Sequence, residues 1–170
     1  MTWQVIQIAE QDVTPMRLYD LAAAHNLLPS NPNQTIDYYR SLASRCEFFE
    51  MLDVGDNGSR PGRVGTVVVS NIVRGESADV DLVPIPEFFT CGFQPTIKKA
   101  LWPVLSRLFA DYGVRRLNSF VAVSRPRTKW ALVACGFKIE GKMREGVKFA
   151  GKRPEDTWVM GMLASDFSEA

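Results

Sequence analysis

The chain has 170 residues, 46% of them hydrophobic, and a formal net charge of +1, the size and apolar content of one ordinary globular domain. No apolar run approaches the roughly 18 residues of a membrane-spanning helix, and the start MTWQVIQIAEQD lacks the basic-then-apolar order of a secretory signal. The reading is a single cytoplasmic domain over residues 1–170. Three widely spaced cysteines (Cys46, Cys91, Cys135) without a C-x-x-C pair, and one histidine (His25), support neither a disulfide framework nor a zinc site.

In chain order, WQVIQI alternates as a strand, and TPMRLYDLAAAH has Thr14 as N-cap and Pro15 at the first helical position. His25 falls near the end of that helical pattern, where a basic group suits the helix dipole. Thr35 caps a second predicted helix through IDYYRSLASRC. The period then changes to two: EFFEMLDV, RVGTVVVSNIV and ADVDLVPI read as three strands, joined by the loop DNGSRPG and the tight turn RGES into an antiparallel meander. From Thr96, IKKALWPVLSRLFADYG returns to helical spacing, with Gly113 as its C-cap and a kink expected at Pro103. The strand LNSFVAV follows, then a short helix from Pro126 to Gly136, then FKIEGKMRE and TWVMGML as the last strands. A strand, a helix and the next strand without a hairpin imply a right-handed parallel crossover inside an otherwise antiparallel sheet.

Charge is unevenly spread. Residues 1–58 hold 3 Lys and Arg against 8 Asp and Glu, whereas residues 97–153 hold 14 against 3. A basic second half suits a polyphosphate ligand, a nucleic acid or a solvated face, and charge alone does not choose. On ADVDLV, Asp79 and Asp81 are two apart and share one face, opposite Val80 and Leu82. The two form an ordinary solvated strand face or, if that face lines a groove, a pair able to draw a proton from a bound group through water. Phe48, Phe49, Phe120 and Trp130 are expected in the core. Cys91 lies beside a helix start but lacks a histidine to activate it.

The run KWALVACGFKIEGKMREGVKFAGKRPEDTWVMGML, with Cys135-Gly136-Phe137, Glu140-Gly141, Met143-Arg144-Glu145 and Asp156, is similar to the end of the protein N-terminus-acetylating (ribosomal-protein) branch of the GNAT (Gcn5-related N-acetyltransferase) superfamily. The order of elements resembles the superfamily over nearly the whole chain. The resemblance implies an α+β fold: a mostly antiparallel sheet of six or seven strands, a central parallel splayed pair, and helices on both faces. It further implies acetyl-CoA as co-substrate, no metal, and a primary amine as acceptor, either a protein N-terminus or a small amine.

Carried residue by residue, the resemblance places the oxyanion-binding backbone N–H near Val83 or Ile85. The pyrophosphate loop falls on Phe89, Thr90, Cys91, Gly92, Phe93 and Gln94, where a helix N-terminus would meet the anion. Only Gly92 matches the loop pattern, so the motif is degenerate: Gln94 stands where the family has a small residue, and Pro95 removes an N–H. Gly92 is either the remnant of a cradle or a turn glycine. Gln94 either fills the phosphate volume or donates to it. Arg125 and Thr128 occupy the positions of a cofactor-contacting Asn and Ser, Leu132 replaces the family's Tyr, and Lys129 joins Arg125 and Arg127 in a basic cluster. Ser124 is a candidate thiolate-facing hydroxyl. The alternative is a catalytically inactive GNAT-like module, as in some virion-associated bacteriophage proteins, which would self-assemble or join a larger particle. No nucleic-acid recognition motif and no membrane partner is implied.

Overall fold

A computed structural model describes residues 3–8, 45–53, 62–84, 94–149 and 151–167. Seven strands form one sheet: β1 (Trp3–Ile8), β2 (Glu47–Asp53), β3 (Gly62–Val73), β4 (Ser77–Pro84), β5 (Arg116–Ala122), β6 (Lys138–Val147) and β7 (Glu155–Leu163). Helix α1 (Gln94–Ala110) joins β4 to β5, α2 (Pro126–Ala134) joins β5 to β6, and a short 3-10 turn, Ala164–Asp166, follows β7. The sheet order is β1-β2-β3-β4-β5-β7-β6, antiparallel throughout except for β4 and β5. The two helices expected within residues 9–44 lie outside the described residues.

The meander follows from period-two patterning. Val67, Val69, Ala78, Val80, Leu82, Leu117, Val121, Met160 and Met162 share one sheet face and are buried. Against them pack Ile97, Leu101, Val104, Leu105 and Leu108 of α1 and Ala131 and Leu132 of α2. Each such side chain contributes roughly 1.5–3 kcal/mol on burial. Both described helices therefore cover this one face, here called the helix face. Phe48, of opposite parity, points to the other face and is buried there as well, while Phe49 joins the helix-face core.

One expectation about the core needs correction. Phe120 is 47% and Trp130 49% exposed. Phe120 has the parity of Arg116 and Asn118 and lies across from Val159, facing away from the helices, and Trp130 sits on the outer side of α2. Helix α1 runs through Pro103 without interruption. Pro103 and Lys99, whose carbonyl loses its partner, are both exposed, so water satisfies that carbonyl.

Turns and caps lock the crossover. The α1 end is pinned to the β3–β4 turn: Gly75 N donates to Tyr112 O at 3.0 Å, and Arg115 N and Arg116 N both donate to Glu76 O. Gly113 ends α1 in the left-handed region at φ 63°. Gly136 (φ 106°) ends α2, with Phe137 N donating to Leu132 O at 3.0 Å; that conformation belongs to glycine. Buried Tyr112 donates its hydroxyl to Glu47 and accepts from Arg107 Nη2 at 3.3 Å, tying the end of α1 to β2. Tyr112→Phe removes a donor from a carboxylate and is expected to lower unfolding stability by about 1–3 kcal/mol, read from urea denaturation. An unchanged midpoint would mean that the hydroxyl adds nothing there.

Candidate active site at the parting of two strands

Parallel pairing of β4 with β5 covers three rungs, Ser77↔Arg116, Ala78↔Leu117 and Asp79↔Asn118. β4 then continues to Pro84 and β5 to Ala122 with no further pairing between them. The strands part in a V whose vertex is the Asp79–Asn118 rung, leaving backbone N–H and C=O groups on the inner edges available to a ligand. This is the splayed parallel pair that the resemblance implied. Val83 lies on the β4 arm beyond the vertex and is half-buried. Ile85, Phe89, Thr90, Cys91, Gly92 and Phe93 lie outside the described residues, and Gln94 is the first residue of α1.

The first β5 residue past the vertex is Ser119. It is 1% exposed, and among the described residues its Oγ has no hydrogen-bond partner. An orphaned buried hydroxyl costs about 1–3 kcal/mol. Ser119 has the parity of Leu117 and Val121, so its side chain faces the helix-face core.

On the face opposite the helices, β4 presents Asp79 and Asp81 together, as their spacing predicts. Asp79 accepts two amide hydrogen bonds, from Asn71 Nδ2 at 2.7 Å and Asn118 Nδ2 at 3.0 Å. Asn71 reaches it from an irregular stretch of β3 with φ 48°, a left-handed conformation that asparagine tolerates. Asp81 is accessible to solvent yet densely surrounded by protein, the combination expected in a concave surface. Desolvation, and after it the charge of Asp79, raises its carboxyl to about 6. Solvent access from the open side limits that penalty. Cys46, just before β2, is close enough for Asp81 to add to the burial that raises its thiol.

Asn118 is held in turn by Arg116, whose Nε donates to Asn118 Oδ1 at 2.6 Å. The Arg116 guanidinium forms a forked pair with Glu140 of β6, Nη1 to Oε1 at 3.0 Å and Nη2 to Oε2. Arg116 holds the Glu140 carboxyl below the usual range. This pair crosses over β7 at Gly161, where a Cβ would come within 2.6 Å of both side chains. The result is one polar chain, Asn71–Asp79–Asn118–Arg116–Glu140, running from β3 to β6.

The remaining candidates are not brought to the vertex. Ser124, in the turn after β5, donates its hydroxyl to Glu155 Oε1 at 2.9 Å, and its backbone N donates to Oε2. Arg125 packs over buried Phe149, guanidinium to ring centre 5.0 Å, and burial lowers its pKa. Thr128 is buried, facing inward from α2. Lys129 Nζ lies over Trp130 and Trp158 at 4.3 and 4.9 Å. Asp156, from the C-terminal motif, caps the irregular end of β6: it accepts from Glu145 N at 3.0 Å and pairs with Lys142 at 2.9 Å. Burial pushes the Cys135 thiol up to about 12, leaving it inert.

No family model matches the chain, and no curated protein matches it. Solved structures match over almost their whole length. The spermidine N-acetyltransferase of Vibrio cholerae in complex with CoA and spermine is 20% identical, with 96% of each chain covered and a TM-score of 0.71. A chimera of Vibrio cholerae SpeG and hSSAT is 21% identical, with 97% of each chain covered and a TM-score of 0.70. A dodecameric form of the Vibrio cholerae enzyme is 19% identical, with 96% of this chain and 94% of that one covered and a TM-score of 0.68. The chain has the fold of these N-acetyltransferases, the Gcn5-related fold.

Proposed function

We propose that the chain is an acetyl-CoA-dependent N-acetyltransferase, a single domain acting on a small cationic amine of the polyamine class. The observation that carries this reading is the V between β4 and β5, with an acidic pair beside its vertex on the sheet face opposite the described helices. The solved structure of like fold that holds CoA and spermine supports both ligand classes.

The arms of the V bind the thioester by strand-like backbone hydrogen bonds, and a backbone N–H near Val83 or Ile85 steadies the oxyanion. The resemblance assigns Gly92 and Gln94 to the pyrophosphate, and Arg125 and Lys129 would add positive charge. Asp81 takes the proton from the acceptor ammonium, directly or through one water; a carboxyl near 6 is mostly ionised at pH 7 and still basic enough for this. The free amine attacks the acetyl carbonyl, the tetrahedral oxyanion collapses with cleavage of the C–S bond, the nitrogen gives its extra proton to solvent to become the amide, and CoA leaves as thiolate to be protonated from solvent. Positioning and backbone donors supply much of the rate, so the Leu132 replacement of the family's Tyr is tolerable.

Two carboxylates side by side suit a polycation better than the single charge of a protein N-terminus, the acceptor implied by the resemblance around Gly136 and Phe137. Isothermal titration with CoA tests the reading. Micromolar binding is the expected result; no binding at millimolar CoA would leave an inactive module in its place.

A further inference from the structure

The last rung of the parallel pair is also bonded through its side chains. Asn118 and Asp79 are register partners, and on the sheet face opposite α1 and α2 the Asn118 amide donates to the Asp79 carboxylate at 3.0 Å. The amide has one possible orientation: Arg116 carries only donors, so the oxygen of Asn118 must face Arg116 Nε and its nitrogen must face Asp79. Arg116 is fixed by the forked pair with Glu140, and Gly161 leaves the space in which that pair crosses β7. At the far end, Asn71 holds the second Asp79 oxygen. Four strands thus converge to immobilise one hydrogen bond at the point where β4 and β5 separate.

We propose that Asn118 is the positioning residue of this site. Its amide clamps β5 to β4 at the vertex, so it sets how far the arms open, and it holds the Asp79 carboxylate in place beside Asp81. The clamp itself is a property of the strands; its consequence for cofactor binding rests on the acetyltransferase reading above. Three rungs are a short parallel pairing for two strands that then diverge, and a charge-assisted bond on the last rung resists further unzipping.

Two variants and two readouts test it. Asn118→Ala removes the clamp; Asn118→Asp keeps the size and the acceptor for Arg116 but replaces the donor with a second carboxylate against Asp79. Amide hydrogen exchange followed residue by residue by NMR is expected to show at least tenfold faster exchange in the three-rung segments Ser77–Asp79 and Arg116–Asn118 in both variants. The β2–β3 amides should keep their wild-type rates. CoA affinity, measured by titration calorimetry, is expected to fall about tenfold, the scale of one lost hydrogen bond to a charged group. Wild-type exchange in the rungs of Asn118→Asp would overturn the clamp whether or not the chain binds CoA. Faster exchange with CoA affinity equal to wild type would overturn the positioning role. Faster exchange in a chain whose wild type binds no CoA would uphold the clamp and reject the acetyltransferase reading.

Discussion

If Asp81 is the base proposed above, Asp81→Asn is expected to lower kcat by about a hundred- to ten-thousandfold, the range for loss of a general base, with CoA affinity unchanged because the residue lies on the sheet face opposite α1 and α2. In the wild type, kcat/KM should rise as pH increases through about 6, since only ionised Asp81 accepts the proton. Asp79→Asn should move that midpoint downward without restoring an ordinary aspartate value, because desolvation is the larger cause and the Asp79 charge the second. The same shift has a sign for stability. A carboxyl raised by the fold is penalised when ionised, so the penalty is full above about pH 6 and is relieved progressively as pH falls from there towards the ordinary value of 3.8. Asp81→Asn should therefore be at least as stable as wild type at pH 7.5 while nearly inactive. Equal loss of kcat and of folding stability would make Asp81 structural.

The largest expected effect on stability is at Phe137. Its ring is 2% exposed in the core between α2 and the sheet, held there by the Gly136 turn and the Phe137 N to Leu132 O bond. Phe137→Ala should cost about 3–5 kcal/mol, the range for a buried aromatic truncated in a close-packed interior. Urea denaturation followed by circular dichroism reads it directly; a loss under 1 kcal/mol would mean that the surrounding side chains collapse into the space.

Much of the fold was legible because its signals are local. The change from helical to period-two spacing at Glu47, the glycines at 113 and 136, and Pro126 at the start of α2 each act within a few residues, and the strand and helix limits fall close to where they point. The parity of Asp79 and Asp81 likewise needs nothing beyond the strand. What sequence could not show depends on register. Asn118 stands in LNSF as one polar residue on a strand, and its meaning comes from pairing with Asp79, 39 positions away, across a parallel junction whose alignment no local rule fixes. Phe120 and Trp130 misled because hydrophobicity was weighed without the face each occupies. A signal for Phe120 was present, since it shares the parity of Arg116 and Asn118.

The C-terminal motif shows how a resemblance and a structure divide the work. Glu140, Glu145 and Asp156 matched a family pattern, and the structure gives them roles in the architecture: Glu140 anchors Arg116 across Gly161, and Asp156 holds the turn of β6 at Glu145. None of the three touches the vertex directly. Their matched spacing reports the fold of the sheet edge, and Glu140 reaches the proposed site only through Arg116 and Asn118.

The most direct test of the acetyltransferase reading is to incubate the purified chain with acetyl-CoA and either spermidine, spermine or a peptide with a free N-terminus, and to identify products by mass spectrometry while free CoA thiol is quantified. Acetylated polyamine appearing with one equivalent of CoA thiol, and lost in Asp81→Asn, is the predicted result. A folded chain that releases no CoA and acetylates none of the three amines would contradict it.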